Sequence, residues 1–225
     1  MPPKLSFRLF SLAGVPIYVH VSVVLLVALG AALSGSLEHY GYRWTQFPVQ
    51  LLFFLVGLFV HEWGHAYCAR RIGLPVVCVT LNVLGGNAVI GGNLDDPKQE
   101  FWVSLAGPVA SLLLGGGFYT ASQLLPEEYR EFCKLMTLFN LGLGVLNLLP
   151  AFFGSLMTDG ARLVRALLSM RGDPSRALQS TIHFSIGVSV SVVVAGAIAD
   201  SGLLLSAGAA CLLGAFDALR RRRPK

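Results

Sequence analysis

Charge is what this sequence has least of. Charged residues make up 13% of the 225, about half the roughly 25% of soluble domains. With 54% hydrophobic residues, a mean hydropathy of +0.66 and several long apolar runs, that shortage excludes an ordinary soluble domain and implies an integral membrane protein. Cysteine is also sparse. Cys68, Cys78, Cys133 and Cys211 have spacings that fit no zinc ribbon, redox pair or disulfide framework, and they read as small apolar fillers. The formal net charge is +5, but the basic residues cluster at Lys4/Arg8, Arg70/Arg71, Arg162 to Arg176 and Arg220 to Lys225. They are not spread over one face, which argues against nucleic acid as a partner and for membrane-topology signals. No internal repeat is visible. The first long apolar run is too long for a cleavable signal and has no small-residue cleavage site. A single membrane-embedded domain over residues 1–225 accounts for the composition.

The expected fold class is an all-α polytopic membrane protein with about six transmembrane helices and a short membrane-associated β-hairpin. Met1 to Val15, short and basic, is expected at the interface. Spans are expected at Pro16 to Leu37, Pro48 to Ala69, Lys98 to Leu125, Leu135 to Phe153, Ser180 to Ala199 and Gly202 to Leu219, each near the roughly 20 residues that cross a bilayer. Glu38 to Phe47, polar and aromatic, reads as an interfacial loop. Leu74 to Asn93 is different in kind: β-branched, broken by Gly85-Gly86 and closed by Gly91-Gly92. It reads as two strands joined by a glycine turn. Pro126 to Lys134 reads as a charged loop. Gly160 to Met170 reads as a short amphipathic helix with Arg162 and Arg165 on its wet side.

The second span carries His61, Glu62, Trp63, Gly64 and His65. Two histidines four apart lie on one helix face and can reach one metal ion. Glu62 beside them is placed to act as general base toward a water that the metal activates. Ionisable groups in a membrane span are expensive and functional by default. A catalytic zinc takes three protein ligands and keeps a fourth position open. Asp159, after the proline-broken end of the fourth span and followed by Gly160, is the preferred third ligand, with His20 and His183 as competitors. Asp159 also has a plainer reading, as the cap of the helix that follows it. Asn140 and Asn147 share one face and could serve the site or simply bond between helices.

Topology gives a check that was not built into the choice of residues. Six spans with both termini in the cytoplasm place Arg70/Arg71 and Asp159 on the inner side, as the positive-inside rule asks. His65 and His61 then lie about 7 and about 13 Å inward from Arg70. The reaction class this supports is metal-assisted hydrolysis of a peptide bond. The alternatives are an inactive membrane protein with a structural or metal-handling site, and a metal or ion transporter. The transporter predicts paired broken helices in two similar halves, which the sequence does not show.

With these residues assembled, the chain resembles the site-2 protease family of intramembrane zinc metalloproteases. The resemblance covers about residues 15–171. It rests on HEWGH in a span, the GGNAVIGG stretch, SLAGPVASLLLG in the next span, and NLLPAFF followed by TDGARL. It implies one zinc ion per chain held by His61, His65 and Asp159, with Glu62 catalytic. It places Asn147 near the substrate, and the hairpin, through Gly86 and Asn87, becomes a candidate strand edge for an unwound substrate. Four more residues than in the commonest family pattern separate Pro150 from Asp159, and Thr158 stands where leucine is usual. The resemblance also implies cleavage of transmembrane or membrane-anchored proteins near the cytoplasmic face, in the plasma (inner) membrane of a prokaryote. It leaves 180–219 as extra C-terminal spans, with no PDZ or CBS domain. The partners implied are the protein substrate, the lipid bilayer, and a regulatory membrane protein or a second copy of the chain.

Overall fold

The computed structural model describes residues 4–32, 47–82, 85–91, 96–153 and 156–221. The chain is mostly helical, with a small sheet. Among the described residues, four helices are long and apolar enough to cross a membrane: Val49–Arg71, Pro97–Leu124, Pro174–Ile198 and Gly202–Arg220. Contacts divide the chain into two compact units, Met1–Asn93 with Val109–Gly142, and Leu94–Pro108 with Leu143–Lys225.

The first unit opens with β1 (Ser6–Leu12) and β2 (Val15–His20), then α1 (Val21–Ala32). The expected span from Pro16 is therefore corrected at its start. Val15, Ile17 and Val19 are buried in alternation with half-buried neighbours, which is the period of a strand and not of a helix. Ala13 and Gly14 both take positive φ, +48° and +82°, the geometry of a tight two-residue hairpin turn. The described part of α1 is 12 residues, about 18 Å long, and 33–37 lie outside the described residues. So does all of the expected 38–47 loop except Phe47, which begins α2.

Helix α2 (Phe47–Arg71) is followed by β3 (Val76–Asn82) and β4 (Gly85–Ile90). These two strands pair antiparallel, and β3 also pairs parallel to β2 through Ile17↔Val79. β3 and β4 are thus two strands of a four-stranded sheet in the order β1-β2-β3-β4, and 83–84 between them lie outside the described residues. Gly85 and Gly86 lie within β4 and not in the turn. The parallel step is possible because α1 and α2 intervene between β2 and β3. Helices α3 (Pro97–Leu124) and α4 (Glu127–Leu148) each contribute to both units. α3 starts where expected, with Asp96 accepting from the Lys98 N–H at 2.9 Å. The expected charged loop at 126–134 is instead the first two turns of α4. Glu127 and Glu128 there suit the positive end of a helix. α4 is not among the four candidate spans.

The second unit contains β5 (Phe152–Phe153) paired to β6 (Leu156–Met157), then α5 (Asp159–Ser169), α6 (Pro174–Ile198) and α7 (Gly202–Arg220). Its core is Phe152, Ala161, Ile182 and Ala215, with Met157, Leu178 and Ile186 around them. α6 starts on Asp173, whose carboxylate accepts from the Ser175 N–H at 2.9 Å, with Pro174 at the first helical position. That bond holds the Asp173 carboxyl below its ordinary pKa.

The α6–α7 pair approaches backbone to backbone, as small residues allow in membrane helices. A Cβ on Gly196 would fall 2.7 Å from the Leu205 nitrogen, and one on Gly208 2.9 Å from the Val193 nitrogen. Gly208→Val should therefore lower stability by about 1–3 kcal/mol, seen as a lower midpoint of thermal unfolding in detergent. Gly187→Val, at a position open to surroundings, should leave the midpoint near wild type.

Candidate metal centre

His61 and His65 lie one turn apart on α2, and both are buried. Their Nε2 atoms are 3.3 Å apart and the rings meet edge to face at 80°. Two nitrogens each about 2.0–2.1 Å from a tetrahedral ion stand roughly 3.3–3.4 Å apart. The pair therefore already has the spacing of two zinc ligands. The other nitrogen of His61, Nδ1, is 2.9 Å from the Ser111 hydroxyl on α3. Such a partner fixes the ring and leaves Nε2 for a metal. Ser111 is fully buried, so the hydroxyl has no alternative in water.

Glu62 is also buried, at 7% exposure. Strand β4 lies directly against it: a Cβ on Gly86 would be 2.2 Å from the Glu62 Cγ and 2.6 Å from its Oε1. Glycine is the residue that fits there, and the requirement comes from space alone, because no positive φ is involved. One turn before His61, Gly57 has the same character. A Cβ would meet the Asn140 Oδ1 at 2.6 Å and a Phe139 ring carbon at 2.7 Å. Asn140 is fully buried, and its amide nitrogen donates to the Met136 carbonyl at 2.8 Å.

In the second unit, Asp159 is the first residue of α5 and is buried. It is not the cap of that helix. The cap is Thr158, whose Oγ1 accepts from the Ala161 N–H at 3.3 Å and from the Ala151 N–H at 3.0 Å, and donates to the Leu149 carbonyl at 2.7 Å. The Thr158 N–H closes the turn on the Ala151 carbonyl at 3.1 Å. The longer spacer after Pro150 is therefore taken up by the β5–β6 pair, and the chain returns to Ala151 before Asp159 begins.

Among the described residues, the set of candidate metal ligands is His61 and His65 of the first unit and Asp159 of the second. His20 and His183 are not in it. His20 caps α1 instead, accepting from the Ser22 N–H at 3.1 Å. His183 is exposed beside Phe184 and Gly187 on an open groove of α6. Two imidazoles and a carboxylate are a donor set that suits zinc.

Residues 49–129 match the profile of peptidase family M50. They form an M50 peptidase domain. The chain is 32% identical over 193 residues to a zinc metalloprotease of Methanocaldococcus jannaschii, covering 84% of this chain and 52% of that protein. It is 35% identical over 179 residues to the putative zinc metalloprotease Rip3 of Mycobacterium tuberculosis, covering 74% and 44%. The chain thus spans about half the length of the curated relatives it matches. In fold it is similar to the site-2 protease from Methanocaldococcus jannaschii, with a TM-score of 0.63, 24% identity, and 98% and 97% of the two chains covered.

The other residues singled out in the sequence sit in this M50 fold as follows. Asn87 is exposed on β4, paired with Thr80. Asn147 is half-buried in the last turn of α4, where its amide nitrogen donates to the Leu143 carbonyl at 2.9 Å. Ser111 was not among the residues singled out, although it lies within the SLAGPVASLLLG stretch; fifty residues separate it from His61, and no local pattern links them.

Two outcomes are expected. Ser111→Ala should weaken metal binding by about 10–100-fold, measured by competition with a chromophoric chelator. Gly86→Ala should keep folding and metal content but lower hydrolysis by at least about 10-fold, because the new methyl displaces the Glu62 side chain; general bases contribute about 10²–10⁴-fold.

Proposed function

We propose that the chain is an intramembrane zinc metalloprotease that hydrolyses peptide bonds of membrane-spanning proteins near the cytoplasmic face. The observation that carries this reading is the buried His61–Glu62–His65 turn on a membrane-length apolar helix, with its two Nε2 atoms 3.3 Å apart. The M50 match over residues 49–129 and the relatives named as zinc metalloproteases support it.

His61, His65 and Asp159 hold one zinc ion per chain in this reading. Zinc, when bound, supplies Lewis-acid activation of water and of the scissile carbonyl. Glu62 accepts the proton of the attacking water and passes it to the leaving amide nitrogen. Burial suits that task, since the carboxylate is held in place by Gly86 and has little room to turn away. A substrate helix hides its amides in its own hydrogen bonds and must unwind first. The free edge of β4, with Asn87 exposed on it, offers main-chain partners for the unwound segment. Asn147 stands two residues before Leu149 at the broken end of α4, where it can meet the substrate backbone.

The polytopic arrangement belongs to the same proposal: about six spans, both termini cytoplasmic, in the inner membrane of a prokaryote. The domain reads as one membrane-embedded peptidase with a core near 15–171, joined by the C-terminal pair α6–α7. Partners are the membrane protein substrate, the bilayer, and a regulatory membrane protein or a second copy.

The test is cleavage of a membrane-spanning substrate by the purified chain in detergent, wild type against Glu62→Gln, with zinc counted in both. Zinc in both and cleavage by wild type alone is expected, with a loss of about 10² or more. Equal cleavage by the two proteins, or no metal in either, would overturn the assignment.

A further inference from the structure

Helix α5 carries Asp159 at its first position and Arg165 two turns later. Arg165 is expected on the wet side of that helix, yet it turns inward. Its Nη2 donates to Oε1 of Glu100 and its Nε to Oε2 at 3.3 Å. Glu100 sits in the first turn of α3 and is 5% exposed. The contact lies wholly within the second unit.

A two-pronged pair between a buried carboxylate and a half-buried arginine is a poor way to gain net stability. Desolvating the Glu100 carboxylate offsets much of the attraction, water screens the exposed part of Arg165, and an apolar pair of similar size often holds as well. What the fork supplies is geometry, because two parallel N–H···O bonds fix both distance and rotation. Rotation is what α5 needs fixed. Its front end is already pinned: Thr158 closes on Ala151, and Gly160 lies so near the Leu148 carbonyl that a Cβ there would be 2.0 Å away. A helix held at one end can still turn about its axis. A turn of about 20° moves an atom roughly 5 Å off the axis by roughly 1.7 Å. Metal–ligand distances tolerate about 0.2 Å.

We infer that the Glu100–Arg165 pair is a positioning clamp that sets the rotation of α5, and so aims the Asp159 carboxylate at the metal. Neither residue touches the metal, and both act through Asp159. The inference rests on the reading of Asp159 as a ligand.

The experiment measures zinc affinity by chelator competition and the thermal midpoint in detergent for the full chain and four variants. The visible spectrum of each cobalt-substituted protein is recorded as well. Asp159→Ala tests the ligand reading itself: unchanged affinity there would remove that reading, and the clamp with it. Given a loss in Asp159→Ala, the double variant Glu100→Met/Arg165→Met is expected to unfold within a few degrees of wild type. It should bind zinc about 10–100-fold more weakly, with an altered cobalt spectrum. Wild-type affinity and spectrum in that double variant would overturn the clamp while leaving Asp159 as a ligand. Should the double variant not fold, Arg165→Lys decides. It keeps the charge and loses the fork, so a several-fold weaker affinity is expected, and wild-type affinity and spectrum would refute the inference. Arg176→Gln, an exposed site on α6, serves as the control with wild-type values in all three measurements.

Discussion

Two imidazole nitrogens held 3.3 Å apart inside an apolar helix set the terms for much of what surrounds them. Neutral rings that close present lone pairs to each other unless a proton or a cation stands between. In a membrane span no bulk water is at hand to relieve them. The surrounding structure answers with fixed partners. Ser111 takes the far nitrogen of His61. Gly86 admits a strand beside Glu62, and Gly57 admits the Asn140 amide one turn below His61. Each of these contacts gives α2 fewer ways to roll or bend. The polar cost of the motif is thus balanced by contacts that also determine where it points.

The second unit solves a related problem with different means. Asp159 begins a short helix that follows a proline-broken end, where a chain would ordinarily be loose. Thr158 ties that helix to Ala151, Gly160 presses it onto the Leu148 carbonyl, and Glu100 grips Arg165. Phe152, Ala161 and Ile182 supply the apolar packing beneath. Thr158, Gly160 and Ala161 act on the first turn of α5, and the Glu100–Arg165 pair acts farther along it.

How far the chain could be read in advance depended on whether the signal was local. The His61–Glu62–His65 turn, the helix from Asp159, and the runs that became α3, α6 and α7 carry their periodicity within a few turns. They were legible. The strand β2 was not, because Val15 to His20 is apolar and runs without a break into the apolar helix α1. Hydropathy alone reads the two as one span, and only the alternation of Val15, Ile17 and Val19 marks the strand. β1 shared that fate, since its apolar side chains look interfacial until a partner strand is known. Ser111 with His61 and Glu100 with Arg165 lie fifty and sixty-five residues apart, so no window of sequence contains both members. Arg165 was misplaced for that reason: an arginine on a short amphipathic helix looks solvated until the distant carboxylate is in view. Asp159 was legible as a candidate, but its plainer role as a helix cap could be set aside only once Thr158 was seen to fill it.

The β5–β6 excursion has a consequence for how such chains are compared. Because Thr158 closes directly on Ala151, the number of residues between them does not set where Asp159 stands. Counting positions from Pro150 to the aspartate measures the size of a detour and says nothing of the distance travelled. A search pattern written as a fixed interval would pass over this chain. One that asks for a proline-ended helix, a hydroxyl able to close the turn, and Asp-Gly opening the next helix would find it at any interval.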